Sequence, residues 1–211
     1  MDDLHHALAD IAAIRGQMAR AAQFRGYGPA TLFATALLAA LAAALQPRLV
    51  PAPQRDPSGY ALYWSAAAAL AAALIAAEAW ARTRRLHHGL AGEMIQAAIE
   101  QFLPAAGAGL LATWIILAAA PSAAPLLPGL WQVFFSLGVF ASCRFLPRPT
   151  LAAGIWYLAT GLVCLAQSHR PLAFAPVLMA VPFFVGQSLV AVILWQASRR
   201  LALAEEPYAT L

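Results

Sequence analysis

Six long apolar segments separated by short polar ones dominate the pattern of this chain. They cover residues 29–46, 59–80, 102–120, 126–146, 150–167 and 172–197. Each is close to the ~20 residues that a helix needs to cross about 30 Å of hydrocarbon. Continuous apolar runs of this length predict transmembrane helices. The pattern therefore predicts an all-α, polytopic membrane bundle of six helices, with residues 29–198 as its transmembrane domain.

The amino-terminal segment has a different pattern. Apolar residues recur at helical spacing over residues 2–24, and polar residues fill the other positions, so this segment is too polar to span a membrane. It predicts an amphipathic cytoplasmic helix, joined to the first span through a Gly-Pro hinge within the unit 1–28. Its apolar stripe is a candidate docking surface formed by Leu4, Leu8, Ile11 and Met18.

Charge supports the membrane class and orients the chain. Of 211 residues, 62% are hydrophobic and 10% are charged, against about 25% charged residues in soluble domains. All basic residues are arginines, and only Arg48, Arg55 and Arg170 fall on the side away from the two termini. The positive-inside rule then places both termini, including the tail 199–211, in the cytoplasm. Exclusive use of arginine with abundant alanine and proline is typical of a GC-rich bacterial genome, so we expect the bacterial inner membrane.

The net charge of +4 does not indicate a nucleic-acid partner. The arginines flank apolar spans, where they interact with anionic lipid headgroups. The lipid bilayer is therefore the expected partner of these charges.

The second span is rich in alanine and poor in leucine, with eleven alanines in residues 59–80. Small side chains let helix backbones approach closely in a membrane. We therefore expect this helix to lie inside the bundle. Glu78, near its inner end, has Arg82 one turn later, and an ion pair between them is the expected arrangement.

Two spans share a motif. Pro128-x-Leu130-x-x-Val133-x-Phe135-x-x-Gly138 in the fourth span matches the segment from Pro176 to Gly186 in the sixth without a gap. The match suggests a 2+2+2 repeat of helical hairpins. Chance similarity between apolar helices is the alternative.

The sequence offers no constellation for catalysis. All five histidines lie in terminal or loop segments, so a haem ligand or an intramembrane histidine base is not expected. The spacing of His87, His88 and Glu93 matches no metal-binding motif. We therefore expect no catalytic, cofactor-binding or metal-binding residue, and a non-enzymatic protein.

A few polar residues lie inside the predicted spans. Gln132, Ser136 and Gln187 are candidates for a polar path that a neutral solute could follow. The alternative is that they form hydrogen bonds between helices. Coupled transport is disfavoured, because no carboxylate or arginine lies near a midplane.

Several segments resemble an uncharacterised family of bacterial six-span integral membrane proteins. They are the Ala9–Ala19 run, the Phe24–Pro29 hinge and the stretch from Leu130 through Gly138 to Cys143–Pro147. The resemblance covers the whole chain. It implies the membrane class and a bacterial origin, and no activity, cofactor or site residue.

Three functions from different classes follow, in order of rank. The first is a regulatory or scaffold protein whose cytoplasmic face binds a protein partner or the lipid surface, because polarity and arginine concentrate there. The alternative is a channel or permease for a small neutral or hydrophobic solute. A lipid-linked enzyme ranks third.

Overall fold

The computed structural model describes residues 28–85, 90–143 and 148–205, of which residues 82, 83, 85, 90–99 and 200–205 are described by their backbone alone. This part of the chain is helical apart from turns. Its six long helices are α1 (Pro29–Leu49), α2 (Pro57–Arg85), α3 (Leu90–Ala119), α4 (Leu127–Ser142), α5 (Leu151–Ala166) and α6 (Val177–Glu205). Short 3-10 segments, Pro121–Leu126 and Arg148–Thr150, lead into α4 and α5. Within the described residues, six helices are long and apolar enough to cross a membrane, which confirms the predicted all-helical class and the number of long apolar helices.

The predicted start of the sixth span is wrong. Residues 172–176 form turns rather than helix, although their side chains are largely apolar. Pro176 disfavours helical geometry at the residue before it, and the chain enters α6 at Val177. Phe174 is only 3% exposed, so its apolar character reflects packing within the protein. At its other end α6 continues to Glu205, into the segment that the sequence predicts as a tail.

The two ends of the bundle differ in what they carry. One end, here called the loop end, holds the three connections 50–56, 120–126 and 167–176. The opposite end, called the terminal end, holds the start of α1 and the last turns of α2 and α6. Around the bundle, α1 packs against α2 and α6, α5 lies between α4 and α6, and α3 packs against α4. The chain therefore closes on itself through the contact of α1 with α6.

Glycines allow a close helix contact between α4 and α5. A methyl group on Gly129 would lie 2.9 Å from the carbonyl oxygen of Gly161 and 2.8 Å from the amide nitrogen of Leu165. A methyl group on Gly161 would in turn lie 3.0 Å from the Gly129 oxygen. These distances are shorter than ordinary van der Waals contact. The two backbones thus touch because neither residue has a side chain.

The expectation that the second span lies inside the bundle is wrong for the single chain. Helix α2 is buried mainly near the loop end, where Tyr60, Ala61 and Trp64 are covered, and again at Ala79 near the terminal end. Beyond Ala67 most of its alanines are exposed, and the buried share of its apolar window is 17%, against 44% for the window that contains α4. An alanine helix has little side-chain volume to interdigitate, so it contacts α1 along a narrow strip and leaves the rest of its surface open.

Candidate functional site

Gln132 lies on α4 in the middle of the protein and is fully buried. Its Nε2 donates to the carbonyl oxygen of Leu178 on α6 at 2.9 Å and to that of Pro128 at 3.1 Å. In a regular helix, the Leu178 carbonyl would accept from the backbone N–H four residues later. That residue is Pro182, which has no N–H. The Gln132 amide therefore supplies a donor in place of the one that the proline removes from α6, and the Cys164 thiol of α5 supplies a longer contact of 3.7 Å to the same carbonyl.

Ser136 lies one turn further along α4 and is also fully buried. Its hydroxyl donates to the carbonyl oxygen of Gly154 on α5 at 2.9 Å. Gln187 is half-buried on α6, and its side chain has no hydrogen bond within the described residues. Of the three candidate path residues, two are thus bonded to the backbones of two neighbouring helices, and the third is not.

An aromatic cluster fills the centre of the bundle beside these residues. It joins four helices through Phe102 of α3, Phe135 of α4, Tyr157 of α5 and Phe183 of α6. The Phe135 ring centroid lies 5.2 Å from that of Phe102, 4.7 Å from that of Tyr157 and 5.3 Å from that of Phe183. Sequence reasoning missed this cluster. A signal was present, because Phe135 and Phe183 occupy equivalent positions in the shared motif.

Two buried polar side chains join three elements at the loop end. Trp64 of α2 donates from Nε1 to Oε1 of Gln46 at 3.0 Å. Gln46, which is 2% exposed on α1, donates from Nε2 to the carbonyl oxygen of Phe174 at 2.9 Å. The connection before α6 is therefore fixed to α1 and, through Gln46, to α2.

A solvent-open bowl lies on the surface of the loop end. Its larger part has a volume of about 560 Å³, and a neighbouring hollow of about 220 Å³ continues it toward the first loop. Arg170, Ser122 and Pro125 line both parts. The sequence predicts only the outward charge of Arg170, because the bowl forms when loops far apart in the chain come together.

The terminal end carries two matching pairs of arginine and tryptophan. The guanidinium carbon of Arg84 lies 3.7 Å from the ring centroid of Trp80 on α2, and that of Arg199 lies 4.8 Å from that of Trp195 on α6. In both pairs the arginine follows the tryptophan by four residues, which places it on the same helix face. Both rings remain substantially exposed.

Glu78 also lies at the terminal end. Its Oε2 accepts a hydrogen bond of 2.8 Å from the backbone N–H of Gly28, the residue before α1. A carboxylate beside a helix N-terminus is stabilised by the helix dipole. The side chain of Arg82, the predicted partner of Glu78, lies outside the described residues. So does the candidate docking stripe of Leu4, Leu8, Ile11 and Met18.

The described residues contain no cluster of histidine, cysteine, aspartate and glutamate that could hold a metal ion. His87 and His88 lie outside that part of the chain.

Comparison with family models, with curated proteins and with solved structures finds no match for this chain. The resemblance to an uncharacterised bacterial membrane family therefore stays a prediction.

Proposed function

We propose that this protein crosses the bacterial inner membrane six times, with its terminal end in the cytoplasm, and that its cytoplasmic face is a non-enzymatic docking surface for a protein partner or the lipid surface. The observation that carries the proposal is the pair of Arg-on-Trp contacts at the terminal end. Tryptophan prefers the membrane interface, and arginine beside it contacts anionic headgroups. Trp80 and Trp195 lie on separate helices at this end, which supports a cytoplasmic interface there.

The contact between Glu78 and Gly28 supports the docking part of the proposal. The Gly28 N–H lies where the amino-terminal segment enters α1, and its acceptor lies on α2. A hydrogen bond to a charged acceptor is stronger than a neutral one. Displacement of the predicted amphipathic helix by a partner would therefore act on the packing of α1 against α2.

The topology is tested by single cysteines at positions 55, 84, 148 and 170 in a Cys143→Ala, Cys164→Ala background. The native Cys143 lies just beyond α4, and partial burial raises the pKa of its thiol. A thiol with a raised pKa reacts slowly but still reacts, so Cys143 is replaced to remove this background labelling. An impermeant thiol reagent added outside intact cells should label positions 55 and 170 and should spare 84 and 148. Labelling of position 84 from outside would contradict the proposed orientation.

The docking surface is tested with Ile11→Asp, matched by Ala13→Asp, which helical periodicity places on the opposite face. Hydrogen exchange is measured over residues 2–24 in nanodiscs with and without phosphatidylglycerol. We expect protection in the unaltered chain, loss of protection in Ile11→Asp and little change in Ala13→Asp.

Protection that requires the anionic lipid supports lipid binding. Protection in neither nanodisc contradicts a lipid anchor, and a partner is then sought by crosslinking from position 11 in native membranes. Absence of a specific crosslink there would overturn the docking proposal.

A solute path remains the alternative function, and one observation favours it. The Oε1 atom of Gln132 is buried and has no hydrogen-bond partner, so it could accept from a small polar solute. Against this alternative, the Gln132 amide and the Ser136 hydroxyl are bonded to helix carbonyls. Swelling of proteoliposomes in glycerol separates the two functions, because a path through Gln132 predicts faster swelling that Gln132→Met reduces.

A further inference from the structure

The loop-end bowl has a fixed shape. The Gln54 side-chain amide donates to the carbonyl oxygen of Pro171 at 3.4 Å, which links the first loop to the third. Gln46 fixes the third loop again at Phe174. Prolines at 121 and 125 form part of the wall, and a proline ring fixes the backbone dihedral φ. These contacts and the proline rings constrain the shape of the bowl.

The polar groups of the bowl are suited to an anion. Arg170 and Ser122 line both parts, and Ser168 and His169 line the larger one. Within the described residues the Arg170 guanidinium has no hydrogen bond or ion pair. The only carboxylate of the three loops is Asp56, and its Oδ1 already accepts from the Gly59 N–H at 2.8 Å. Arginine is thus available in a bowl that no described carboxylate lines.

The bowl also has an apolar wall, formed by Pro125 and Leu126. A guanidinium and hydroxyl groups are the usual ligands of phosphate oxygens, and an apolar wall suits a carbon group attached to the phosphate. The volume of about 560 Å³ falls within the range of about 300–1,000 Å³ of small-molecule sites.

We propose that the loop-end bowl binds a phosphate ester, with Arg170 contacting the phosphate and Ser122 and Ser168 adding hydrogen bonds. The ester is either the headgroup of a membrane lipid or a soluble metabolite. Binding of a lipid headgroup requires that the protein crosses the membrane as proposed. The binding chemistry does not depend on the docking role of the opposite face.

The test uses the full chain in detergent with two probes, phosphatidylglycerol followed by native mass spectrometry and glycerol 3-phosphate followed by calorimetry. Arg170→Gln should weaken binding about tenfold or more, because it removes a charge-assisted contact. Arg55→Gln is the matched control, since it removes the same charge from the loop end at a residue that does not line the bowl. We expect it to change affinity less than about twofold, as only screened long-range attraction is lost.

The probes distinguish the two sources. Arg170-dependent binding of phosphatidylglycerol alone supports a lipid headgroup, and Arg170-dependent binding of glycerol 3-phosphate supports a soluble ester. The double variant Ser122→Ala, Ser168→Ala keeps the charge and should still weaken binding, which tests the site if Arg170→Gln fails to fold. Equal weakening by the two arginine variants, or no binding of either probe, overturns the proposal.

Discussion

Helices α2 and α4 both contain many small residues, yet they use them differently. In α4, Gly129 meets Gly161 of α5 at a distance that leaves no room for a methyl group. In α2, alanines such as Ala69 and Ala73 face away from the rest of the chain. The same sequence feature therefore accompanies a helix contact in which two backbones touch and one of the most exposed surfaces of the bundle.

The difference shows that the number of small residues does not determine where an apolar helix lies in the bundle. Close packing requires a small residue opposite another backbone, together with larger side chains around it. Around Gly129 these are Val133 and Leu165, which lie at the Gly129–Gly161 contact. Helix α2 has no comparable set beyond Ala67, because most residues there are alanines and the larger side chains of Leu70, Leu74 and Trp80 are exposed.

The largest effect that we expect comes from Gly129→Ala. The added methyl group would meet two backbone atoms of α5 that cannot move independently, and overpacking of this kind costs about 1–3 kcal/mol. Gly107→Ala on α3 is the control, because nothing lies within 4 Å of a methyl group there. The free energy of unfolding is measured by titration with sodium dodecyl sulfate. Equal stability of the two variants would show that α4 and α5 separate easily.

The second prediction compares a buried alanine with two exposed ones. Ala153 of α5 is fully buried, so Ala153→Leu should destabilise the protein by about 1–3 kcal/mol. Ala69→Leu and Ala73→Leu should change the free energy of unfolding by less than about 0.5 kcal/mol, since surface substitutions usually do. A loss of stability in the α2 variants as large as that in Ala153→Leu would indicate that another copy of the chain or a partner covers this face. Cross-linking of a cysteine at position 73 between copies would then identify a dimer.

The number of helices could be predicted from the sequence because each apolar run is long enough to cross a membrane. The position of α2 could not. A helix surrounded by lipid is apolar on every side, and lipid is as apolar as leucine, so no face is marked for burial. The start of α6 was missed for a related reason, since Phe174 is apolar because it packs against Tyr60 and not because it lies in a helix.

The candidate site shows the same contrast between what the sequence predicts and what it does not. Gln132 and Ser136 stand out in the sequence because they are polar residues in apolar segments. Their partners do not, because the Leu178 and Gly154 acceptors are backbone atoms that every residue has. The bowl around Arg170 is equally hidden, since it is built from loops separated by more than forty residues.

The smallest effect that we expect concerns the contact between α4 and α6. Gln132→Met keeps the approximate shape of the side chain and removes the N–H that serves the Leu178 carbonyl. The Cys164 thiol lies 3.7 Å from this carbonyl and still donates to it, so the loss is that of one buried hydrogen bond, about 1 kcal/mol. Gln187→Met on α6 should cost less, because this side chain has no hydrogen bond within the described residues. Both free energies of unfolding are measured by the same titration.

A double-mutant cycle decides whether Gln132 stabilises the protein in the way that its geometry indicates. Pro182→Ala restores a backbone N–H four residues after Leu178, so the Leu178 carbonyl regains a donor within its own helix. Gln132→Met should then cost less in the Pro182→Ala background than in the unaltered chain, with a coupling energy of about 0.5–1.5 kcal/mol. Strictly additive effects would mean that Gln132 contributes through packing alone. The solute path, which would use the unpartnered Oε1 atom, would then be the better explanation for a glutamine at this position.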